Sequence, residues 1–217
     1  MSEPESLSID EGLETHIRRH SYDRLIMISD GIFAIAITLA ALEIKLPEEI
    51  HGGLAEIARA MIRPISAYLI SFFLIALFWL HHRDLFARVR RVDAVLTGLT
   101  LLLLCLISLI PAMIHGIYVA DENLAGFRLY VIAMMACGAT GVAMWVYAAL
   151  RPGIMQPEVP RPYRIARTLM VAVLPVVMIP ALFISHANEL LWVMLPIAAG
   201  AMVVRRFVLP RWLGAKR

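Results

Sequence analysis

Arg24, Ser29, Asp30, Trp79 and His82 are the residues of this chain whose types and placement could do chemistry together. The first three head an otherwise apolar stretch, Arg24-Leu-Ile-Met-Ile28-Ser29-Asp30-Gly31-Ile-Phe-Ala-Ile35-Ala-Ile-Thr38-Leu39-Ala40-Ala-Leu42. The other two close a second one, Phe78-Trp79-Leu-His81-His82-Arg83-Asp84-Leu-Phe86, where Trp79 and His82 are three apart and share a helix face. An indole N–H donates to a carboxylate, and an imidazole donates to Asp or accepts from Arg. A network of the five satisfies every member, as a low-dielectric site demands. An ionisable group central in a membrane helix costs roughly 2.5–3.5 kcal/mol on insertion scales. Two uses could justify that cost: fastening two helices together, or carrying protons or cations, with Asp30 and His82 as the relay.

The elements that must position these groups are membrane helices. The chain has 217 residues, 60% hydrophobic and 17% charged, whereas soluble domains are usually about 45–50% apolar. Six apolar runs are long enough to cross a bilayer, near 23–46, 64–86, 94–118, 125–149, 164–185 and 189–209, since a span needs about 20 residues. Pro64 stands where a helix can begin. Pro111, Pro175, Pro180 and Pro196 lie inside spans, where membrane helices tolerate kinks. The segment Leu54–Met61 is weakly amphipathic and fits a short interfacial helix or an ordinary loop.

Charge orders the connections. Arg18 and Arg19 precede the first span; Arg83, Arg88, Arg90 and Arg91 follow the second; Arg151, Arg161, Arg164 and Arg167 follow the fourth; Arg205, Arg206, Arg211, Lys216 and Arg217 follow the sixth. The other connections carry Glu48, Glu49 and Glu56, then Asp121 and Glu122, then His186 and Glu189. The positive-inside rule then predicts six spans with both termini cytoplasmic. It divides the chain into a cytoplasmic segment 1–22, a membrane domain 23–209 and a basic tail 210–217. The net charge of +3 is thus topology, and gives no support to nucleic-acid binding. No apolar h-region is present in the first twenty residues, so the first span is expected to serve as its own targeting signal. Cys105 and Cys137 fall inside apolar runs and suggest no disulfide framework. His51, His115 and His186 are isolated and offer no paired metal or haem spacing. No catalytic signature is present.

On the first helix, taken at 100° per residue, Ile35, Leu39 and Leu42 fall within about 60° of one another and continue the line of Ile28 and Gly31. Asp30 and Ser29 lie about 140° and 120° from Ile35. An apolar stripe therefore runs along one side and a polar pair occupies another. Arg24 and Asp30, six apart, are not i,i+4 neighbours, so each needs a partner from elsewhere.

These residues resemble the bacterial homologues of the endosomal and lysosomal potassium channel of animals. That family begins its first helix with Arg-x-x-x-Phe-Ser-Asp, then Ala/Gly-x-Phe-Ala-Ile-Ala-Ile-Thr-Leu, and ends its second with Trp-x-x-His-x-x-x-Phe. Here the pattern reads Arg24 to Asp30, Gly31 to Leu39, and Trp79-Leu-His-His82-Arg-Asp-Leu-Phe86. Ile28 replaces the motif's Phe, keeping an apolar anchor without the ring, and Ala40 stands where a second Leu often follows. The likeness covers the first two spans; beyond them span count and topology agree.

The resemblance implies an all-α membrane protein assembled as a homotetramer, with first helices lining a central pore and no carbonyl-loop filter. It implies potassium as permeant ion, with other monovalent cations as further candidates, no cofactor, no metal site and no enzymatic activity. A multi-pass protein of the bacterial inner membrane, embedded in lipid, follows. Ile35, Leu39 and Leu42 would build the constriction, with Thr38 as a hydroxyl layer, and the Arg24, Ser29, Asp30, Trp79 and His82 network would support the pore helix. Animal members carry two six-helix units per chain and this chain one, so a four-fold pore needs four copies. The competing reading is a proton- or cation-coupled transporter using Asp30 and His82.

Overall fold

Five of the apolar runs fold as helices long enough to cross a membrane, because a helix satisfies every backbone donor and acceptor internally where no water can. A computed structural model of the chain describes residues 3–45, 53–118 and 124–183. The helices are α1 (Glu3–Leu42), α2 (Leu54–Phe86), α3 (Ala94–Tyr118), α4 (Leu124–Leu150) and α5 (Arg161–Val177), followed by a 3-10 segment, Ile179–Phe183. The expected sixth span at 189–209, Pro196 and the basic tail lie outside the described residues.

Two boundaries differ from expectation. Residues 54–63, read as a loop or a separate interfacial helix, are the opening turns of α2, and Pro64 lies inside that helix. Proline removes one i→i−4 donor and disfavours the α conformation before it, but membrane helices accommodate that loss. At the other end, α5 gives way to 3-10 geometry before Pro180, with the Ala181 amide donating to Met178 O at 3.1 Å. The missing proline N–H cannot continue the α pattern, so the chain tightens. On the N-terminal side, α1 runs unbroken from Glu3.

α4 is the hub, packed on α3 and α5, while α1 lies against α2 and α3. It buries Phe127, Tyr130, Met134, Cys137, Met144 and Trp145. Ser71 of α2 donates to Ala67 O (2.8 Å) and meets the Tyr130 hydroxyl at 2.9 Å, a buried polar tie between α2 and α4. Small residues let membrane helices approach closely, and Gly138 is the tightest such contact with α5. A Cβ there would stand 2.9 Å from Pro175 Cδ and 3.1 Å from its Cβ and Cγ. The pyrrolidine ring cannot fold away. Gly138→Ala is therefore expected to cost about 1–3 kcal/mol, the usual cost of overpacking, read as a lower thermal midpoint in detergent. An unchanged midpoint would mean that α4 and α5 part freely there.

The basic connections meet at one end of the bundle. Residues 87–93 and 151–160 pair through a single antiparallel bridge, Val89 with Met155. Arg90 N–H donates to Ile154 O (2.8 Å) and Gln156 N–H to Arg88 O (2.9 Å). Asp93 caps α3 by accepting the Leu96 amide at 2.9 Å and also takes the Tyr147 hydroxyl. Burial pushes the Asp93 carboxyl up, but Tyr147, the Leu96 amide and nearby Arg151 outweigh it and hold it below the usual carboxylate range. A depressed native pKa contributes stability that is full above the unfolded value of about 3.9 and is lost as pH falls through the native one.

Candidate functional site

α1 divides cleanly into two faces. Leu25, Ser29, Phe33, Ala36 and Ala40 are buried, at steps of three and four residues. That spacing is one stripe of a 3.6-residue helix, and it packs into the bundle. On the opposite side Ile35, Leu39 and Leu42 are 58%, 43% and 72% exposed, and Ile28 and Thr38 are exposed with them. The stripe's own subunit does not cover it among the described residues.

Thr38 has a settled role within its helix. Its hydroxyl donates to Ile35 O at 2.9 Å and Ala34 O at 3.1 Å. With the proton directed at the backbone, the oxygen's lone pairs remain for an outside partner.

The polar residues at the head of α1 do not form one connected network. Trp79 Nε1 donates to Asp30 Oδ1 at 2.8 Å, joining α2 to α1. The Arg83 guanidinium lies 4.8 Å over the Trp79 ring, a cation–π contact that steadies the indole. Ser29 is fully buried but donates to its own helix, to Leu25 O at 2.7 Å. His82 is buried between Phe33 and Phe86, with ring centroids 5.7 and 4.5 Å away, and its Nε2 has no hydrogen-bond partner among the described residues. Arg24 is exposed and forms no ion pair among the described residues. At 100° per residue it falls about 20° from Ile35, so it lies along the exposed stripe rather than beside Asp30.

A second polar cluster nearby escaped the sequence reading. Asp84, two residues past His82, forms ion pairs with both Arg88 and Arg167. Arg88 also donates to Asp84 O at 2.7 Å and lies 4.8 Å over the Tyr163 ring, while Arg167 lies 5.6 Å from the Trp145 ring centroid. Tyr22 adds a bond from α1, its hydroxyl donating to Phe86 O at 2.8 Å; that carbonyl ends α2 and also accepts the Val89 amide at 3.3 Å. The Asp84–Arg88 spacing of i,i+4 was a visible signal. Arg167, brought in by the fold, was not.

The family model of the endosomal/lysosomal potassium channel TMEM175 matches residues 24–111, which include the head of α1, all of α2 and most of α3. A potassium channel of Streptomyces collinus is 33% identical over 145 residues, covering 64% of this chain and 70% of that protein. A potassium channel of Chamaesiphon minutus is 31% identical over 134 residues, covering 58% of this chain and 65% of its own length. Among solved structures, the crystal structure of a lysosomal potassium-selective channel TMEM175 homolog from Chamaesiphon minutus superposes with a TM-score of 0.66 at 25% identity. The superposition covers 88% of this chain and 97% of that one. A five-helix description of a polytopic membrane protein, a family match across its first three spans and a relative matched over most of its length agree: the chain belongs to the TMEM175 family of endosomal/lysosomal potassium channels.

Proposed function

We propose that this chain is a potassium-permeable cation channel, assembled as a homotetramer in a bacterial inner membrane with α1 of each subunit facing a central pore. The observation that carries the pore assignment is the bare stripe on α1. Its polar-flanked opposite face is packed, yet Ile35, Leu39 and Leu42 stand 58%, 43% and 72% exposed. Four copies around an axis turn that stripe into successive apolar rings. Such rings gate by dewetting and hold an ion poorly, so selectivity rests on partial dehydration. Thr38 supplies the side-chain oxygens at that level, since its proton is already directed at Ile35 O and Ala34 O.

The Asp30–Trp79 bond then fixes the rotation of α1 against α2 and keeps the carboxylate off the stripe. The same bond weighs against a proton relay, because Asp30 is engaged by Trp79 rather than by His82. The basic connections gathered at one end of the bundle support a cytoplasmic placement for that end. The reaction asked of the protein is ion passage, and the family is one of channels rather than enzymes.

Purified protein in a planar bilayer is expected to carry potassium current with no requirement for a counter-ion gradient. Absence of current together with uptake driven by a proton gradient would establish the transporter instead.

A further inference from the structure

We infer that the crevice between α2, α3, α4 and α5 is a binding site for one ordered water molecule, which bridges His82 Nε2 and Trp145 Nε1. The crevice is lined by Phe78, His82, Leu103, Gly141, Trp145 and Val171, among others, and its interior volume is about 10 Å³. That is the room a single water needs. Apart from His82, Trp145 and His81, the last of which has an interaction of its own, its walls are apolar. Two deeply buried polar side chains line it, His82 at 4% exposure and Trp145 at 1%. Neither His82 Nε2 nor Trp145 Nε1 has a hydrogen-bond partner among the described residues.

Buried polar groups in native proteins are paired, with protein or with ordered water, because an unpaired donor forfeits its full solvation. An indole N–H only donates. Its partner must be an acceptor, and His82 Nε2 could act as one only by coming within direct reach. A water molecule resolves both demands. Its oxygen accepts from Trp145 Nε1, and one of its protons is donated to His82 Nε2, which selects the neutral Nδ1–H tautomer of the imidazole.

The surroundings hold both rings for such a bridge. Arg167 lies over Trp145, 5.6 Å from the ring centroid, and is itself anchored by Asp84. Phe86 and Phe33 flank the imidazole at 4.5 and 5.7 Å. Since Phe33 belongs to the buried face of α1, the water ties α4, through His82, to the helix that carries the exposed stripe. The site itself does not depend on how the pore is built.

The test uses the full-length assembled channel in lipid nanodiscs, with a map resolving ordered water and a thermal-melting cycle of His82→Phe, Trp145→Phe and the double variant. The wild-type map is expected to show one density peak within roughly 2.7–3.2 Å of both nitrogens. Each single variant should lower the melting midpoint, and the double should lose no more than the worse single, since both partners of one bridge are then gone. A map with no peak, or with a side chain occupying the crevice, overturns the inference. Losses that add in the double variant overturn it as well. If either aromatic variant fails to assemble, the wild-type map alone decides.

Discussion

Asparagine in place of Ile35 or Leu42 is expected to raise potassium current about tenfold, the effect of lowering the permeation barrier by roughly 1.4 kcal/mol. The substitution leaves the packed face of α1 alone. Both side chains are more than half exposed on the subunit, so the bundle core loses no packing. Asn costs only some tenths of a kcal/mol in helix propensity. What changes is the ring that four such residues form. An apolar ring expels water from a narrow pore, and an ion must shed hydration to cross it. Four carboxamides in its place supply oxygens to the ion and hold water in the constriction. The two positions lie nearly two helical turns apart, so they also test different rings. Single-channel conductance in planar bilayers gives the measurement, with assembly checked by size. Unchanged conductance in both variants would remove the stripe from the permeation path and return it to lipid or helix contact.

How far the sequence could be read follows from where each signal lives. The bounds of α3 came out as expected, Ala94–Tyr118, because its apolar run is uninterrupted and Asp93 offers a capping side chain at its head. The start of α2 did not. Glu56, Arg59 and Arg63 make its first turns too polar to count as membrane-spanning, and Pro64 imitates a beginning. Hydropathy reports solvent, whereas the backbone hydrogen-bond ladder continues through either solvent.

Site residues divided in the same way. The apolar stripe on α1 was legible because helical periodicity is local, and the structure leaves that stripe exposed. The pairing of Asp30 with Trp79 was open to inference because two spans joined by one connection bring their ends level. Arg24 was grouped with Asp30 by type, although the helical wheel sets it on the stripe side; spacing carried the better information. His82 and Phe86, four apart, also gave a signal in their i,i+4 ring contact. The contribution of Trp145 and Arg167 could not be read, since it depends on how α4 and α5 settle against α2.

That settling is concentrated at Asp84, and Asp84→Ala is expected to destabilise the folded channel by about 3 kcal/mol, near the lower end of the cost of stranding a buried charge. Asp84, Arg88 and Arg167 side chains are 21%, 29% and 14% exposed, too enclosed for water to take the carboxylate's place in full. Removing it leaves two guanidinium groups facing one another without an anion. The loss also frees Arg167 from α2, and with it the ring contact that steadies Trp145. Arg88→Ala should cost less, because Asp84 keeps Arg167 and the helix end keeps Tyr22. Asp84→Asn should fall between, retaining an acceptor but no charge. Replacing the charges together, as Asp84→Leu with Arg88→Met and Arg167→Met, should recover stability relative to Asp84→Ala, since apolar groups of similar volume often substitute for a buried ion network without loss. Thermal midpoints of the four purified variants give the order. A wild-type midpoint for Asp84→Ala would reduce the cluster to a bystander. A triple replacement that melts lower still would mean that these charges are needed for the geometry of the bundle end and not only for one another.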